Sequence, residues 1–142
     1  MRLSNLRYQD VEESFGMGGP YLGTLEFNGE ILNRRFLANG EKLSLNKTKI
    51  VLAQYSGNRN DGILGLSLQR VFHIVVYDEV VDEFYQSIDS FESLTIEKME
   101  GNLITFHEAF HTSLNEFKRT VKFTEKNFNK MERDNIIATK RE

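Results

Sequence analysis

Val71-Phe-His-Ile-Val-Val-Tyr77 is the most strand-like segment of the chain. Its residues are mostly β-branched or aromatic, and both of its alternating faces are rich in apolar side chains. A short segment with this pattern is typical of a strand that is covered on both sides. We therefore predict that the sheet forms around it. One face carries Phe72, Ile74 and Val76, and the other carries Val71, His73, Val75 and Tyr77.

The clearest hairpin signal is Asn28-Gly29, the favoured pair for a two-residue type I′ turn. The register of this turn pairs Leu25 with Leu32 and Tyr21 with Phe36. Apolar and polar residues then separate onto opposite faces, as expected for a hairpin with one buried face. The predicted apolar face has Tyr21, Leu25, Phe27, Leu32 and Phe36, and the polar face has Glu26, Asn33 and Arg35.

Turn signals recur at short intervals, which favours an all-β protein. We predict a mainly β fold: one antiparallel β domain, as a sandwich, half-open barrel or meander, with at most one or two short helices. This domain is expected to span residues 1–125. Residues 126–142 are charged and are predicted to form a C-terminal tail with a short helix at best. Residues 10–20 and 56–62 are predicted to be loops.

The segment after Asp78 has two interpretations. Its apolar residues have helical spacing, and Asp78 is a suitable N-cap residue. A strand with a polar outer face also suits residues 80–88. We expect a short helix or an irregular strand here, with the acidic residues on a solvated face.

The composition excludes several classes of function. The formal net charge is −3, which gives no general attraction to nucleic acid or to anionic membranes. Cysteine is absent, so disulfides, a thiolate nucleophile and cysteine-based zinc sites are excluded. The opening residues lack the apolar core of a signal peptide, and no apolar run is long enough to span a bilayer. A cytoplasmic protein without a cofactor is therefore expected; the oligomeric state is left open.

Residues 107–111, His-Glu-Ala-Phe-His, match the H-E-x-x-H motif. On a helix, His107 and His111 would share one face and bind one zinc ion, and Glu108 would act as the general base of a hydrolase. On a strand this geometry is lost, and no third ligand occurs at a distinctive spacing. We expect extended backbone around Phe106, with both histidines partly exposed on a hairpin. A zinc-dependent hydrolase is the alternative function.

His73 is the remaining histidine, and in a central strand it is expected to be a hydrogen-bonded core residue rather than a catalyst. No Gly-x-Ser-x-Gly segment is present to indicate a serine hydrolase. The sequence therefore assigns no catalytic, metal-binding or cofactor-binding residue outside the His107–His111 alternative.

Residues 5–37 resemble small bacterial immunity proteins that accompany toxins. The resemblance is carried by Asn5-Leu-Arg-Tyr-Gln-Asp10 and Phe15-Gly-Met-Gly-Gly-Pro-Tyr21, followed by the hairpin. It implies a cytoplasmic protein that neutralises a toxin domain by direct binding. We therefore expect a protein-binding module with a protein partner. The loops at residues 10–20 and 56–62 are the expected contact surface. A small-ligand-binding β-barrel is a third option.

Overall fold

The computed structural model describes residues 6–13, 21–27, 30–37, 44–46, 48–61, 67–109, 118–132 and 137–140. Within these ranges every long regular element is a β-strand, and no helix is present. The strands are β1 (Leu6–Glu13), β2 (Tyr21–Phe27), β3 (Glu30–Leu37), β4 (Ser44–Asn46), β5 (Lys49–Asp61), β6 (Ser67–Asp78), β7 (Glu83–Ser87), β8 (Thr95–Glu100), β9 (Leu103–His107), β10 (Lys118–Lys122), β11 (Phe128–Lys130) and β12 (Ile137–Lys140). The mainly β prediction is confirmed.

The predicted central segment lies in β6 and is buried on both faces. Phe72, Ile74 and Val76 are fully buried on one face, and Val75 and Tyr77 are equally buried on the other. β6 pairs with β5 along its whole length and with β7 near its C-terminal end. The two faces of β6 contribute to two different hydrophobic cores, which explains why both faces of the segment are apolar in sequence.

The strands form two antiparallel sheets. The large sheet has the order β1-β2-β3-β5-β6-β7-β11, with β12 beside β3 and β4 beside β5. The small sheet has the order β10-β9-β8. All pairings among the described strands are antiparallel. A short bridge between Phe72 and Phe91 connects β6 to the segment that leads into the small sheet. These features confirm the predicted single antiparallel β domain.

Two hydrophobic cores lie on opposite sides of β6. The inter-sheet core joins the large and small sheets, and the large-sheet core joins β2 and β3 to β5, β6 and β7. Each fully buried Val, Leu, Ile or Phe contributes about 1.5–3 kcal/mol to stability. The inter-sheet core comprises Leu22, Val51, Ala53, Phe72, Ile74, Val76, Phe91, Leu94, Met99, Ile104, Phe106 and Phe128. The large-sheet core comprises Leu25, Leu32, Phe36, Ile50, Leu52, Val75, Tyr77 and Phe84.

The β2–β3 hairpin starts in the predicted register and then departs from it. Phe27 is opposite Glu30, as the Asn28-Gly29 pair predicts, but the register shifts between Thr24 and Glu26. Phe36 is therefore opposite Gly23, and the predicted pairing of Phe36 with Tyr21 is wrong. Tyr21, which was predicted on the buried face, is 48% exposed, whereas its neighbour Leu22 is buried in the inter-sheet core.

Glu26 is a second departure from the predicted faces of this hairpin. It was expected on the polar outer face, but it is 4% exposed. The guanidinium of Arg7 on β1 donates a hydrogen bond of 2.9 Å to its Oε1. Burial of a carboxylate is costly unless it is paired and hydrogen-bonded, so this contact from the neighbouring strand is what allows Glu26 to face inward.

The segment after Asp78 is a turn followed by a strand, and the helical interpretation is wrong. Residues 79–82 connect β6 to β7, and β7 pairs with both β6 and β11. Asp78 accepts a hydrogen bond from the backbone N–H of Val80, two residues on, as in an Asx-turn. The side chain that was expected to begin a helix therefore closes a hairpin turn.

Two further predictions change with the structure. Residues 56–61, expected to be a loop, belong to β5, which reaches Asp61. In the segment 126–142 the structure has β11 and β12 in place of the expected short helix, paired with β7 and β3 respectively. Phe128 of β11 is buried in the inter-sheet core. Of the other predicted loop, residues 10–13 belong to β1 and residues 14–20 lie outside the described residues.

Candidate functional site

His107, the first histidine of the H-E-x-x-H segment, is the last residue of β9 and is fully buried. The backbone from Leu103 to His107 is extended, as predicted, so it lacks the helical spacing that the zinc motif needs. The predicted partial exposure of His107 is wrong. β9 is the middle strand of the small sheet, and His107 lies between Thr95 on β8 and Lys118 on β10. His111 lies outside the described residues.

A β-bulge brings a carboxylate to the imidazole of His107. The register between β8 and β9 shifts around Glu97, which has no opposite residue on β9. Oε1 of Glu97 lies 3.3 Å from Nε2 of His107, and its Oε2 lies 3.5 Å from Nζ of Lys118. The hydrogen bond with His107, helped by the charge of Lys118, holds the pKa of Glu97 below its ordinary value.

His107, Glu97 and Lys118 form a cluster of polar side chains across the small sheet. Nδ1 of His107 is buried and has no hydrogen-bond partner within the described ranges. Glu108, the base in the hydrolase alternative, accepts a hydrogen bond of 2.9 Å from Arg119. In the part of the chain that the structure describes, no three His, Asp or Glu side chains converge as a metal site requires.

His73 is hydrogen-bonded, as the sequence predicts for a histidine in the central strand. Its Nδ1 lies 2.7 Å from the hydroxyl of Ser56. Ser56 is the extra residue of a bulge in β5 and has no opposite residue on β6. Gly57 follows it with a φ of 109°, a conformation that favours glycine. Ser56 also contacts the amide oxygen of Gln54, which accepts a hydrogen bond from Gln86. This polar chain crosses β5, β6 and β7 and satisfies side chains that the sheet partly buries.

The turn between β6 and β7 is a third candidate site, and its main feature is exposed apolar side chains rather than polar groups. Val80 is 73% exposed, the largest fraction among the exposed large apolar side chains of the described residues, and its neighbour Val81 is 53% exposed. Both lie at the end of a hairpin whose strands place Tyr77 and Phe84 in the large-sheet core. Val80 therefore buries little of its surface against the rest of the chain.

Contacts on both sides fix the conformation of this turn. The hydroxyl of Tyr77 donates a hydrogen bond of 2.6 Å to Oδ1 of Asp82. The backbone N–H of Glu79 donates a hydrogen bond of 2.8 Å to the carbonyl of Thr48. Asp82 has a φ of 53°, a left-handed conformation that few non-glycine residues adopt. The bond from Tyr77 therefore holds Asp82 in a conformation that costs free energy in isolation.

A small cleft lies between the two sheets, with a volume of about 90 Å³. Small-molecule sites generally measure about 300–1,000 Å³, so this cleft has room for a few water molecules or one side chain. Arg119 at its edge already bonds Glu108 and lies over the ring of Phe106, 5.8 Å from the centroid. The cleft gives no support to the small-ligand-binding option.

Comparison of the chain with models of protein families, with curated proteins and with solved structures finds no match. The described residues also contain no helix of the length and apolarity that crossing a membrane requires. The candidate site must therefore be judged on its own geometry.

The turn is not predicted from the sequence because Val80 and Val81 fit the spacing of an amphipathic element. A sequence signal for a turn is nevertheless present, since both valines directly follow the polar pair Asp78-Glu79 at the end of the central strand. A polar turn at that point would expose whatever apolar residues it contained. The two bulges, at Ser56 and at Glu97, have no comparable sequence signal apart from Gly57.

Proposed function

We propose that this chain is a protein-binding module and that its contact surface is centred on the turn at residues 78–83. The observation that carries the proposal is the exposure of Val80 and Val81 on a turn held by hydrogen bonds. Single exposed apolar residues are ordinary on protein surfaces. Two adjacent ones on a fixed turn form a contact surface that loses little conformational entropy on binding.

The flanking strands support this interpretation because they anchor the turn. Tyr77 and Phe84 lie opposite each other at its base and are buried in the large-sheet core. Their ring centroids are 4.7 Å apart. Burial of each valine in a partner would contribute about 1.5–3 kcal/mol to binding.

We further propose that the module is a cytoplasmic bacterial immunity protein that neutralises a toxin domain by direct binding. Support for this assignment comes from the resemblance of residues 5–37 to such proteins. A protein of this kind acts by occupying a surface of its target, so it requires a preformed contact surface and no reacting groups. This surface replaces the predicted loop at residues 56–62, since residues 56–61 are strand.

The test is capture from the native cell with tagged wild-type chain and a Val80→Ser, Val81→Ser double variant. Ile88→Ser is the matched control, because Ile88 is 52% exposed and lies away from the turn. We expect wild type and the control to retain one protein at a stoichiometric level, and the double variant to bind it at least ~30-fold more weakly, as a loss of about 2 kcal/mol implies.

Two results would decide against the proposal. Equal capture by all three proteins would remove the turn from the interface, and the absence of any stoichiometric partner would argue against a binding module. The immunity assignment has its own readout: the wild-type chain should restore growth to cells that produce the captured protein, and the double variant should not.

A further inference from the structure

The turn at residues 78–83 has a second turn beside it at the same end of the large sheet. The backbone N–H of Glu79 donates a hydrogen bond of 2.8 Å to the carbonyl of Thr48, which lies between β4 and β5. Next to this bond, Lys49 lies opposite Asp78, and its Nζ is 3.7 Å from Oδ2 of that residue. The turn before β5 is therefore held directly against the turn that carries the exposed valines.

The end of β11 adjoins the same turn from the opposite side. The backbone N–H of Met131 donates a hydrogen bond of 2.8 Å to the carbonyl of Phe84. Nζ of Lys130 lies 3.1 Å from Oε1 of Glu83. Because the sheet order here is β5-β6-β7-β11, three segments lie side by side. We call them together the turn-end surface, which comprises residues 48–49, 78–84 and 130–131.

The area of a stable interface requires a partner to cover more than the two valines. A complex of standard size buries about 800 Å² on each partner. A buried aromatic side chain supplies about 150–250 Å² and valine is smaller, so Val80 and Val81 together supply less than about 300 Å². Neighbouring residues must supply the remainder.

The spacing of the strands shows which neighbours these are. A round patch of about 800 Å² has a radius of roughly 16 Å, whereas adjacent strands of a sheet lie about 4.8 Å apart. A patch of that size centred on the β6–β7 turn therefore extends past β5 on one side and past β11 on the other. Both flanking segments fall within it, although they are far apart in sequence.

We propose that the partner is a folded protein domain whose contact area spans the whole turn-end surface, with the valines at its centre. This inference rests on the proposed function and adds the extent of the site and the kind of partner. An apolar centre within a polar rim is the usual arrangement of a protein–protein interface, and Thr48 and Lys130 would belong to the rim. A short linear peptide bound around the valines alone would leave both flanking segments uncovered.

Single cysteines measure the extent of the contact, because the chain has no cysteine of its own. The variants within the proposed contact are Thr48→Cys, Val81→Cys and Lys130→Cys. Each is treated with iodoacetamide alone and in the presence of saturating partner obtained by the capture described above. Mass spectrometry of this chain then follows the rate of alkylation.

Glu92→Cys provides the matched control. Glu92 is exposed, and its neighbour Phe91 forms a bridge with Phe72 on β6. Phe72 is five residues before Tyr77 on this strand, a distance of about 17 Å at about 3.3 Å per residue. Position 92 therefore lies outside a patch of this size centred on the turn.

We expect alkylation at positions 48, 81 and 130 to be at least ~10-fold slower in the complex, because a thiol must be accessible to react. The rate at position 92 should not change. A tryptic digest of the partner should fail to displace the intact partner, since no single peptide covers an area of standard size.

The outcomes separate this inference from the proposed function. Protection at position 81 alone, or displacement by one peptide of the digest, would overturn the extended contact and leave the turn as the binding site. Protection at position 92 as well would overturn the assigned extent. A bound partner that leaves position 81 unprotected would overturn both proposals.

Discussion

The hydroxyl of Tyr77 donates a 2.6 Å hydrogen bond to the carboxylate of Asp82 across the turn that joins β6 to β7. Tyr77 is fully buried in the large-sheet core, and Asp82 has a positive φ. One bond thus connects the core to the residue with the least favourable backbone conformation of the turn. The conformation of Val80 and Val81 depends on this link.

Removal of that hydroxyl tests the link directly. We expect Tyr77→Phe to lower the free energy of unfolding by about 1–2 kcal/mol, because a bond to a charged group contributes about 1.5–3 kcal/mol and water reaches the half-buried Asp82. The ring contact with Phe84 is retained in this variant. Urea unfolding measures the change, and a variant as stable as the wild type would show that the bond contributes nothing.

Two substitutions of Asp82 separate its hydrogen bond from its backbone strain. Both Asp82→Gly and Asp82→Ala remove the acceptor, but only glycine adopts a φ of 53° without steric cost. We expect the alanine variant to be less stable than the glycine variant by about 1 kcal/mol. Equal stabilities in chemical denaturation would mean that the turn relaxes to a different conformation in the alanine variant.

Val76 and Val80 offer a matched comparison within one hairpin. Val76 is fully buried in the inter-sheet core, and Val80 is 73% exposed. We expect Val76→Ala to cost about 2–3 kcal/mol, since it removes buried methyl groups and leaves a cavity. Val80→Ala should change the free energy of unfolding by less than about 0.5 kcal/mol. A large loss of stability in the Val80 variant would give that residue a role in the fold and weaken its assignment to binding.

The contact between His107 and Glu97 predicts that the pKa of the Glu97 carboxyl group changes when His107 is replaced. Since His107 is the main cause of the lowered pKa of Glu97, His107→Leu should raise that pKa toward its ordinary value, although Lys118 still lowers it in part. Carboxyl NMR measures the titration. Glu100 is the control, because its pKa is lowered by Lys98 and should not move. An unchanged Glu97 pKa in the variant would contradict the assigned cause.

The same contact has a consequence for acid stability. The pKa of Glu97 in the folded chain lies below its value in the unfolded chain, so the ionised carboxylate stabilises the fold at pH values above about 4.3. This contribution is lost as the pH falls through the lowered pKa. The wild type should therefore lose more stability than the His107→Leu variant over that acidic range.

Metal analysis tests the hydrolase alternative. We expect protein purified without a chelator or an affinity tag to contain far less than one equivalent of zinc. The reason is that the backbone at His107 is extended and Glu108 is bonded to Arg119. One equivalent of zinc that disappears in His107→Ala would instead favour a hydrolase with His107, His111 and Glu108 as its site.

The sequence predicts the centre of the fold well because periodicity reports burial directly. Residues 71–77 are apolar on both faces, and the structure covers both faces. The pairing of Tyr21 with Phe36 is mispredicted because the register between β2 and β3 shifts between Thr24 and Glu26. Counting partners outward from the turn assumes a regular ladder, and extra residues in one strand shift every pairing beyond the point where they occur.

The candidate surface was less predictable for a related reason. Helical spacing of Val80, Val81 and Phe84 is a valid signal, but only Phe84 reaches the core. The contact of Glu79 with Thr48 and the bond from Tyr77 to Asp82 favour a turn instead, and both depend on tertiary structure. His107 and Glu97 also meet only through the pairing of β8 and β9.

The pairing of β12 with β3 constrains how the chain is made in the cell. Ile137 lies opposite Leu32, so β3 acquires one of its neighbours only from residues that are synthesised much later than β3 itself. The β2–β3 hairpin can emerge from the ribosome and form locally, but residues 30–32 of β3 must wait for β12 before that part of the strand is paired. Completion of the large sheet is therefore a late event in folding, and nascent chains that stall before Ile137 would present an open edge to chaperones or proteases.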